Sequence, residues 1–128
     1  MTFRLVDDVT PWVDGLELAC AQDVFGLTVA DVVERVKSGH YIAAAIGDHG
    51  LAVLELLEVR GGKTLTVAAL CGAESGVWLA ALLAFLDRLA ADQGCRQILA
   101  WGRPGWERLL RGHGYRRRVT GLIREVAA

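Results

Sequence analysis

A long apolar helical stretch between two strand-like segments is the feature that most restricts how this chain can fold. Residues Ser75 to Gln93 read as one helix, stopped by Gly94. Strand-like sequence stands on both sides, Thr64 to Leu70 before it and Arg96 to Trp101 after it. A helix that joins two strands of one sheet makes a crossover, so those two strands run parallel. The stretch is too short to be a membrane span. Its longest uninterrupted apolar run is Val77 to Leu86, well below the ~20 residues that a bilayer requires.

The segments before the helix follow a different rule. His40 to Ile46, Leu51 to Val59 and Thr64 to Leu70 are β-like and closely spaced. Their connections, Gly47-Asp48-His49-Gly50 and Arg60-Gly61-Gly62-Lys63, are too short for a crossover. Antiparallel pairing follows. In the second turn Gly61 and Gly62 are expected to supply the positive φ of a tight hairpin.

The N-terminal part reads as a strand, Phe3 to Val6, and two helices. Pro11 suits a first helical position, with Thr10 as the expected capping hydroxyl and the helix reaching Gln22. Trp12, Leu16, Ala19 and Cys20 share one face. Thr28 is expected to cap the second helix, whose stripe is Val29, Val32, Val33 and Val36 and whose end is Ser38-Gly39. Near the C-terminus Pro104 opens a short helix to Arg111. Gly112-His113-Gly114 breaks it, and Tyr115 to Val126 is expected to return as a last strand. No repeat or linker interrupts this, so residues 1–128 are expected to form a single domain.

Composition excludes several classes. Apolar residues make up 53 % of the chain, enough to fill a core and too many for disorder. Cys20, Cys71 and Cys95 are odd in number and far apart. Neither a disulfide framework nor a zinc set fits that spacing, and three small thiols in a reducing cytoplasm do. No basic-then-apolar leader opens the chain, so no secretory route is expected. Residues 1 to 93 hold six Lys/Arg against thirteen Asp/Glu, and residues 94 to 128 hold eight Arg against two Glu. A basic end can attract an anionic partner. The aromatic and basic interleaving of a nucleic-acid module is missing, which disfavours a nucleic-acid partner.

Strand, two helices, three antiparallel strands, helix, strand, helix, strand is an uncommon order. Over nearly its whole length the chain resembles the GNAT acyltransferase superfamily. The most specific stretch is Gly94-Cys95, the following strand, Gly102-Arg-Pro-Gly-Trp106-Glu-Arg-Leu-Leu and Gly114-Tyr115. That stretch is similar to a bacteriophage or prophage branch of the superfamily. The resemblance implies an α/β (α+β) acyl-CoA N-acyltransferase fold, a mixed, mostly antiparallel sheet with helices on both faces. It also implies a cleft where the strands ending near Leu70 and Trp101 splay apart.

In that superfamily the fourth strand and the loop after it hold acetyl-CoA or CoA. Carried onto this chain, the cofactor-binding positions are Leu70, Cys71, Gly72, Ala73, Ser75, Gly76 and Val77. The superfamily's loop reads Gln/Arg-x-x-Gly-x-Gly/Ala, and here the match is Ala73-Glu74-Ser75-Gly76-Val77-Trp78. Gly76 is retained, Ala73 stands at the basic or amide position, Trp78 at the small one, and Glu74 adds a negative charge. Small residues and a helix start still offer N–H groups to an anion. A tyrosine acid would stand at Leu110, where nothing can donate a proton. Tyr115 matches a core aromatic.

Glu55 and Glu58 on the second central strand are the candidate catalytic bases. A spacing of three puts them on opposite faces, so at most one meets the cleft. His40, His49 and His113 lie in separate segments without a Ser or Cys partner, and no metal set or triad is formed by spacing. Trp78, Trp101 and Trp106 are expected to pack around the cleft. Trp106 is read as a core anchor sharing a helix face with Leu109 and Leu110.

Two functions remain. One is an N-acetyltransferase that moves an acetyl group from acetyl-CoA, or a similar small-molecule thioester, to an amine. The other is a divergent derivative with weak or lost acyl-CoA binding, not an efficient acetyltransferase, acting through a protein partner. The residues at Ala73, Trp78 and Leu110 favour the second. No membrane partner and no metal are expected in either.

Overall fold

The computed structural model describes residues 1–21, 23, 25–100, 104–118 and 122–126. In chain order the elements are β1 (Phe3–Val6), a 3-10 turn (Thr10–Trp12), α1 (Val13–Ala21), α2 (Val29–Lys37), β2 (Ile42–Ile46), β3 (Gly50–Val59), β4 (Gly62–Gly72), α3 (Ser75–Asp92), β5 (Cys95–Ala100) and α4 (Pro104–Arg111). The sheet follows the sequence, β1-β2-β3-β4-β5. The first four strands pair antiparallel, and α3 carries the chain over to a parallel β5. The expected crossover and mixed sheet are both present.

The two faces bury different halves of the chain. On one, Leu54, Leu65 and Val67 of the sheet pack against Trp78, Leu79, Leu82, Leu83 and Leu86 of α3 and Leu110 of α4. On the other, Leu51, Val53 and Ala69 pack against Leu16 of α1 and Val32 and Val36 of α2. Among the described residues no helix is long and apolar enough to cross a membrane.

Local chemistry explains the element starts. Thr28 accepts from the Asp31 N–H at 3.1 Å, and Asp31 accepts from the Thr28 N–H at 3.0 Å, a reciprocal capping box for α2. The first helical turn is set differently from expectation. Asp8 is the acceptor there, taking the Thr10 N–H at 2.9 Å and the Thr10 hydroxyl at 2.5 Å. A carboxylate two residues back reaches both donors, so Thr10 is consumed as a donor and caps nothing. The hairpin turn is also shifted by one. Arg60 and Gly61 carry the positive φ values, 48° and 83°, and Gly62 already belongs to β4.

The final strand is not present as expected. Residues 115–118 and 122–126 form no strand, and 119–121 lie outside the described residues. After Tyr115 the chain is held by Arg117, whose guanidinium donates to Glu107 on α4 at 2.5 Å.

One irregularity interrupts the β3–β4 register. Val53 pairs with Ala69 and Leu54 with Val67, so Ala68 is an extra residue in β4. Ala68 and Ala69 both pack on the α1/α2 side, while Val67 and Leu70 pack on the α3 side. A bulge bends its strand and increases local twist. Among the described residues the last β4–β5 pair is Val67 and Ala100, and β4 continues to Gly72 beside β3.

Candidate active site

The parting of β4 and β5 opens a cleft of about 510 Å³. Its floor is Val67 to Leu70 and Ile98 to Ala100, and its α3 wall is Leu79, Leu82, Leu83 and Leu86. Trp106, Leu110 and Tyr115 line the α4 side. Its lining is also charged, with Asp23 beyond the end of α1 and a basic lip of Arg111, Arg116, Arg117 and Arg118. Glu107 neutralises part of the basic lip by pairing with Arg117 and Arg111. The Arg117 hydrogen bond holds its carboxyl below the usual carboxylate range. Among the described residues Arg116 and Arg118 have no ion-pair partner.

The loop at the top of the cleft runs from Gly72 into α3. Gly72 has φ +150°, and a Cβ there would meet the His49 carbonyl oxygen at 2.7 Å. Its smallness therefore serves close packing on the β2–β3 turn, whereas the sequence reading assigned it to ligand access. Gly76 meets nothing within 4 Å and remains open. The Ala73 N–H is already donated to the His49 carbonyl at 3.3 Å. Ser75 and Gly76, in the first turn of α3, have N–H groups without an intrahelical acceptor, the usual anion site of a helix start. Val77 is exposed, and its N–H bonds the Glu74 carbonyl at 2.9 Å. Glu74 adopts φ 61°, ψ 49°, a left-handed conformation unusual for a residue with a Cβ. Trp78 fixes this geometry. It is buried in the core, and its indole N–H donates to the Ala73 carbonyl at 2.7 Å.

Leu70 and Cys71 end the floor. The Leu70 side chain packs on the α3 core. Cys71 lies against α1, where a Cβ on Gly15 would come within 3.0 Å of its Sγ. Burial pushes the Cys71 thiol above its ordinary value, so it is a neutral packing group. Burial, then the neighbouring Asp23, raises Cys20 likewise.

The two carboxylates of β3 are separated as expected. Glu55 pairs in register with Thr66 and faces away from α3; its Oε2 lies 2.6 Å from His40 Nε2. Glu58 pairs with Lys63 at the hairpin end and is exposed. Four residues at ~3.3 Å each put it about 13 Å from Val67 along the strand. Neither lines the cleft, but Glu55, paired with Thr66, is the nearer of the two along the sheet. His49 lies 4.0 Å from Glu74, and His113 lies beyond α4. Among the described residues no three His, Cys, Asp or Glu side chains converge as a metal set would.

No protein-family profile and no curated protein sequence matches the chain. Solved structures do. An acetyltransferase of Trypanosoma brucei superposes with a TM-score of 0.71 at 14 % identity, covering 98 % of this chain and 99 % of that one. A GNAT family acetyltransferase of Staphylococcus aureus superposes with a TM-score of 0.63 at 16 % identity, with 98 % of each chain covered. An aminoglycoside N-acetyltransferase in complex with CoA gives 0.65 at 12 % identity, over 99 % of this chain and 95 % of that one. The chain has the GNAT acyl-CoA N-acyltransferase fold.

Within the GNAT fold one residue gains a role that sequence reasoning missed. Leu110 is buried and apolar, as expected. Tyr115, five residues later, lines the cleft, and its hydroxyl is buried with no hydrogen-bond partner among the described residues. Burial, then the charge of Asp87, pushes its pKa up to about 12, so it stays a neutral donor at ordinary pH. Position relative to the Gly-aromatic pair marked it as packing; only the fold reveals the orphaned hydroxyl. Its folded pKa stands above the unfolded value of ~10. The stability this gives is complete below pH ~10 and is lost as pH rises towards ~12. Tyr115→Phe is expected to raise the melting temperature and to flatten that alkaline decline. An unchanged pH–stability curve in the variant would contradict the placement.

Proposed function

We propose that this chain binds an acyl-CoA thioester weakly in the β4–β5 cleft and is at best a slow N-acyltransferase. One observation carries this reading: among the described residues β4–β5 pairing ends at Val67 and Ala100, beside a cleft edged by arginines. Backbone of Leu70 to Gly72 would lie along a pantetheine arm, and the N–H groups of Ser75 and Gly76 face where a pyrophosphate would sit. Arg116 and Arg118 supply positive charge. Ala73 supplies none, and Glu74 opposes an anion. The candidate base is Glu55, not Glu58, and Tyr115 is the candidate donor to a leaving thiolate.

A second reading keeps the fold without the chemistry: a phage- or prophage-type protein acting through protein contacts. Glu74 at the loop and the Gly102 to Glu107 sequence favour it. Calorimetric titration with acetyl-CoA and with free CoA separates the two. The expected dissociation constant is about 0.1 mM or weaker, against about 1 μM for a tight site, a gap of ~2.7 kcal/mol. Joint replacement Ala73→Arg and Glu74→Gly is expected to tighten binding by ~1 kcal/mol or more, the scale of one charge-assisted hydrogen bond. Glycine also suits the left-handed position, so the fold is not taxed by the change. Native binding near 1 μM would refute the weak grip. No heat from either protein would favour the second reading.

A further inference from the structure

Charge in this chain is placed poorly for a nucleotide and well for a protein. Residues 94 to 128 hold eight Arg against two Glu. Glu107 is already paired with Arg111 and Arg117. Arg108, Arg116, Arg118 and Arg124 are exposed and, among the described residues, have no ion-pair partner. Large apolar side chains stand in the open along the same stretch of chain: Leu109 is exposed, Leu122 is 94 % and Val126 89 % exposed. Arginine among exposed apolar groups is the composition of a protein-docking surface. Arg116 and Arg118 also line the cleft, so the basic surface reaches it.

The loop before α3 has the opposite character. Ala73 brings no charge, and its N–H is held by the His49 carbonyl at 3.3 Å. Glu74 stands at the N-cap of α3 with a side chain 70 % exposed, and among the described residues its one ion-pair contact is His49, at 4.0 Å. A carboxylate there repels an anion placed at the helix start, and the repulsion grows with the charge of the ligand. CoA presents a diphosphate and a further phosphate on its ribose. The same pantetheine arm attached to a serine of a carrier protein presents a single phosphodiester, and the rest of the recognition falls on the carrier's surface. The cleft itself, walled by Leu79, Leu82, Leu83 and Leu86, suits the uncharged arm of either.

We propose that the acyl donor is a pantetheine thioester carried on an acidic protein, with the arm in the β4–β5 cleft and the carrier seated on the arginines that edge it. This rests on the acyltransferase reading and names its substrate. It accounts together for a charge-poor nucleotide loop and a charge-rich C-terminal segment. The transfer balances as for any thioester. The acceptor's amine nitrogen bonds to the acyl carbon, the carbon–sulfur bond breaks, and the proton that the amine loses ends on the carrier's pantetheine sulfur.

The test titrates the full chain by calorimetry. The probes are a strongly acidic acyl carrier protein domain bearing acetyl-phosphopantetheine, the same domain without the arm, acetyl-CoA, uncharged S-acetylpantetheine and a single-stranded DNA oligomer. The loaded carrier is expected to bind at least about tenfold tighter than acetyl-CoA, and loss of the arm to weaken it by about tenfold. Added salt is expected to weaken the loaded carrier and to leave S-acetylpantetheine unchanged. Arg116→Gln together with Arg118→Gln, with folding checked by thermal melting, is expected to weaken the loaded carrier by about tenfold. Acetyl-CoA as tight as the loaded carrier, an armless carrier as tight as the loaded one, or full carrier affinity in the double variant would each overturn the proposal. DNA binding tighter than the carrier would overturn it too, by making the arginines a nucleic-acid surface. S-Acetylpantetheine binding without preference for the carrier removes the carrier and leaves the acyltransferase reading standing. Silence from all three thioesters removes both.

Discussion

Trp78→Ala is expected to lower stability by about 3–5 kcal/mol, the range for deleting a buried aromatic side chain. The residue is 1 % exposed and packs among Leu79, Leu82 and the sheet. Two losses add. The first is the apolar volume at the centre of the α3 face. The second is the 2.7 Å bond from the indole to the Ala73 carbonyl, which ties the loop before α3 to the core. Natural domains total only ~5–15 kcal/mol, so the variant is expected to melt roughly 10 °C or more below the parent. Trp78→Phe keeps most of the volume and loses the donor. It should retain most of the stability while its Ala73–Ser75 amides exchange faster with solvent. Thermal melting of both variants, with hydrogen exchange on the second, checks this. A fall of one or two degrees in Trp78→Ala would show that α3 holds without it.

That tryptophan shows what sequence could and could not supply. In the aligned loop it occupies a position where the resemblance implies a small residue, which counted against cofactor binding. The structure buries its ring in the α3 core, and Gly76 keeps open space around its backbone. The remaining obstacles are therefore charge at Glu74 and its absence at Ala73, both of which the sequence displayed.

Features written in local chemistry were legible. The Thr28 cap, the Val32 and Val36 stripe and the Pro104 start all depend on neighbouring residues. The parallel crossover was legible because a long helix leaves few alternatives. The bulge at Ala68 was not: Ala68 and Ala69 are small and apolar on either face, so alternation gives no sign that one residue is extra. Glu55 and Glu58 could be set on opposite faces by counting, but the choice between them needed the register with Thr66 and Lys63. The unpartnered hydroxyls of Tyr115 and Thr66 were invisible in the sequence, since an orphaned hydroxyl is a property of packing. The last strand expected over 115–126 followed only from the break at Gly112 to Gly114; what holds Arg117 is an ion pair to α4 ten residues back.

Trp106→Ala is expected to be the second most disruptive change, near 3 kcal/mol, the low end of the range for an aromatic deletion. Trp106 is half-buried against the α3 core and lines the cleft. Its helix has eight residues with glycine close to both ends, too short to persist without tertiary support. Sequence placed both Leu109 and Leu110 beside it. In the structure Leu110 is buried and Leu109 is 48 % exposed, so support comes from the i+4 neighbour and Trp106 itself. Losing the indole leaves Leu110 as the main apolar contact of α4. The Glu107–Arg117 pair on the same helix cannot replace it, because an exposed ion pair contributes ~1 kcal/mol at most. Loosening α4 also shifts Arg111 and Arg117, and with them the basic lip. Trp106→Ala is therefore expected to melt roughly 10 °C lower and to lose CoA affinity. Trp106→Phe should restore most of the melting temperature. A variant with native melting and lost CoA affinity would make Trp106 a ligand contact and leave the anchoring role without support.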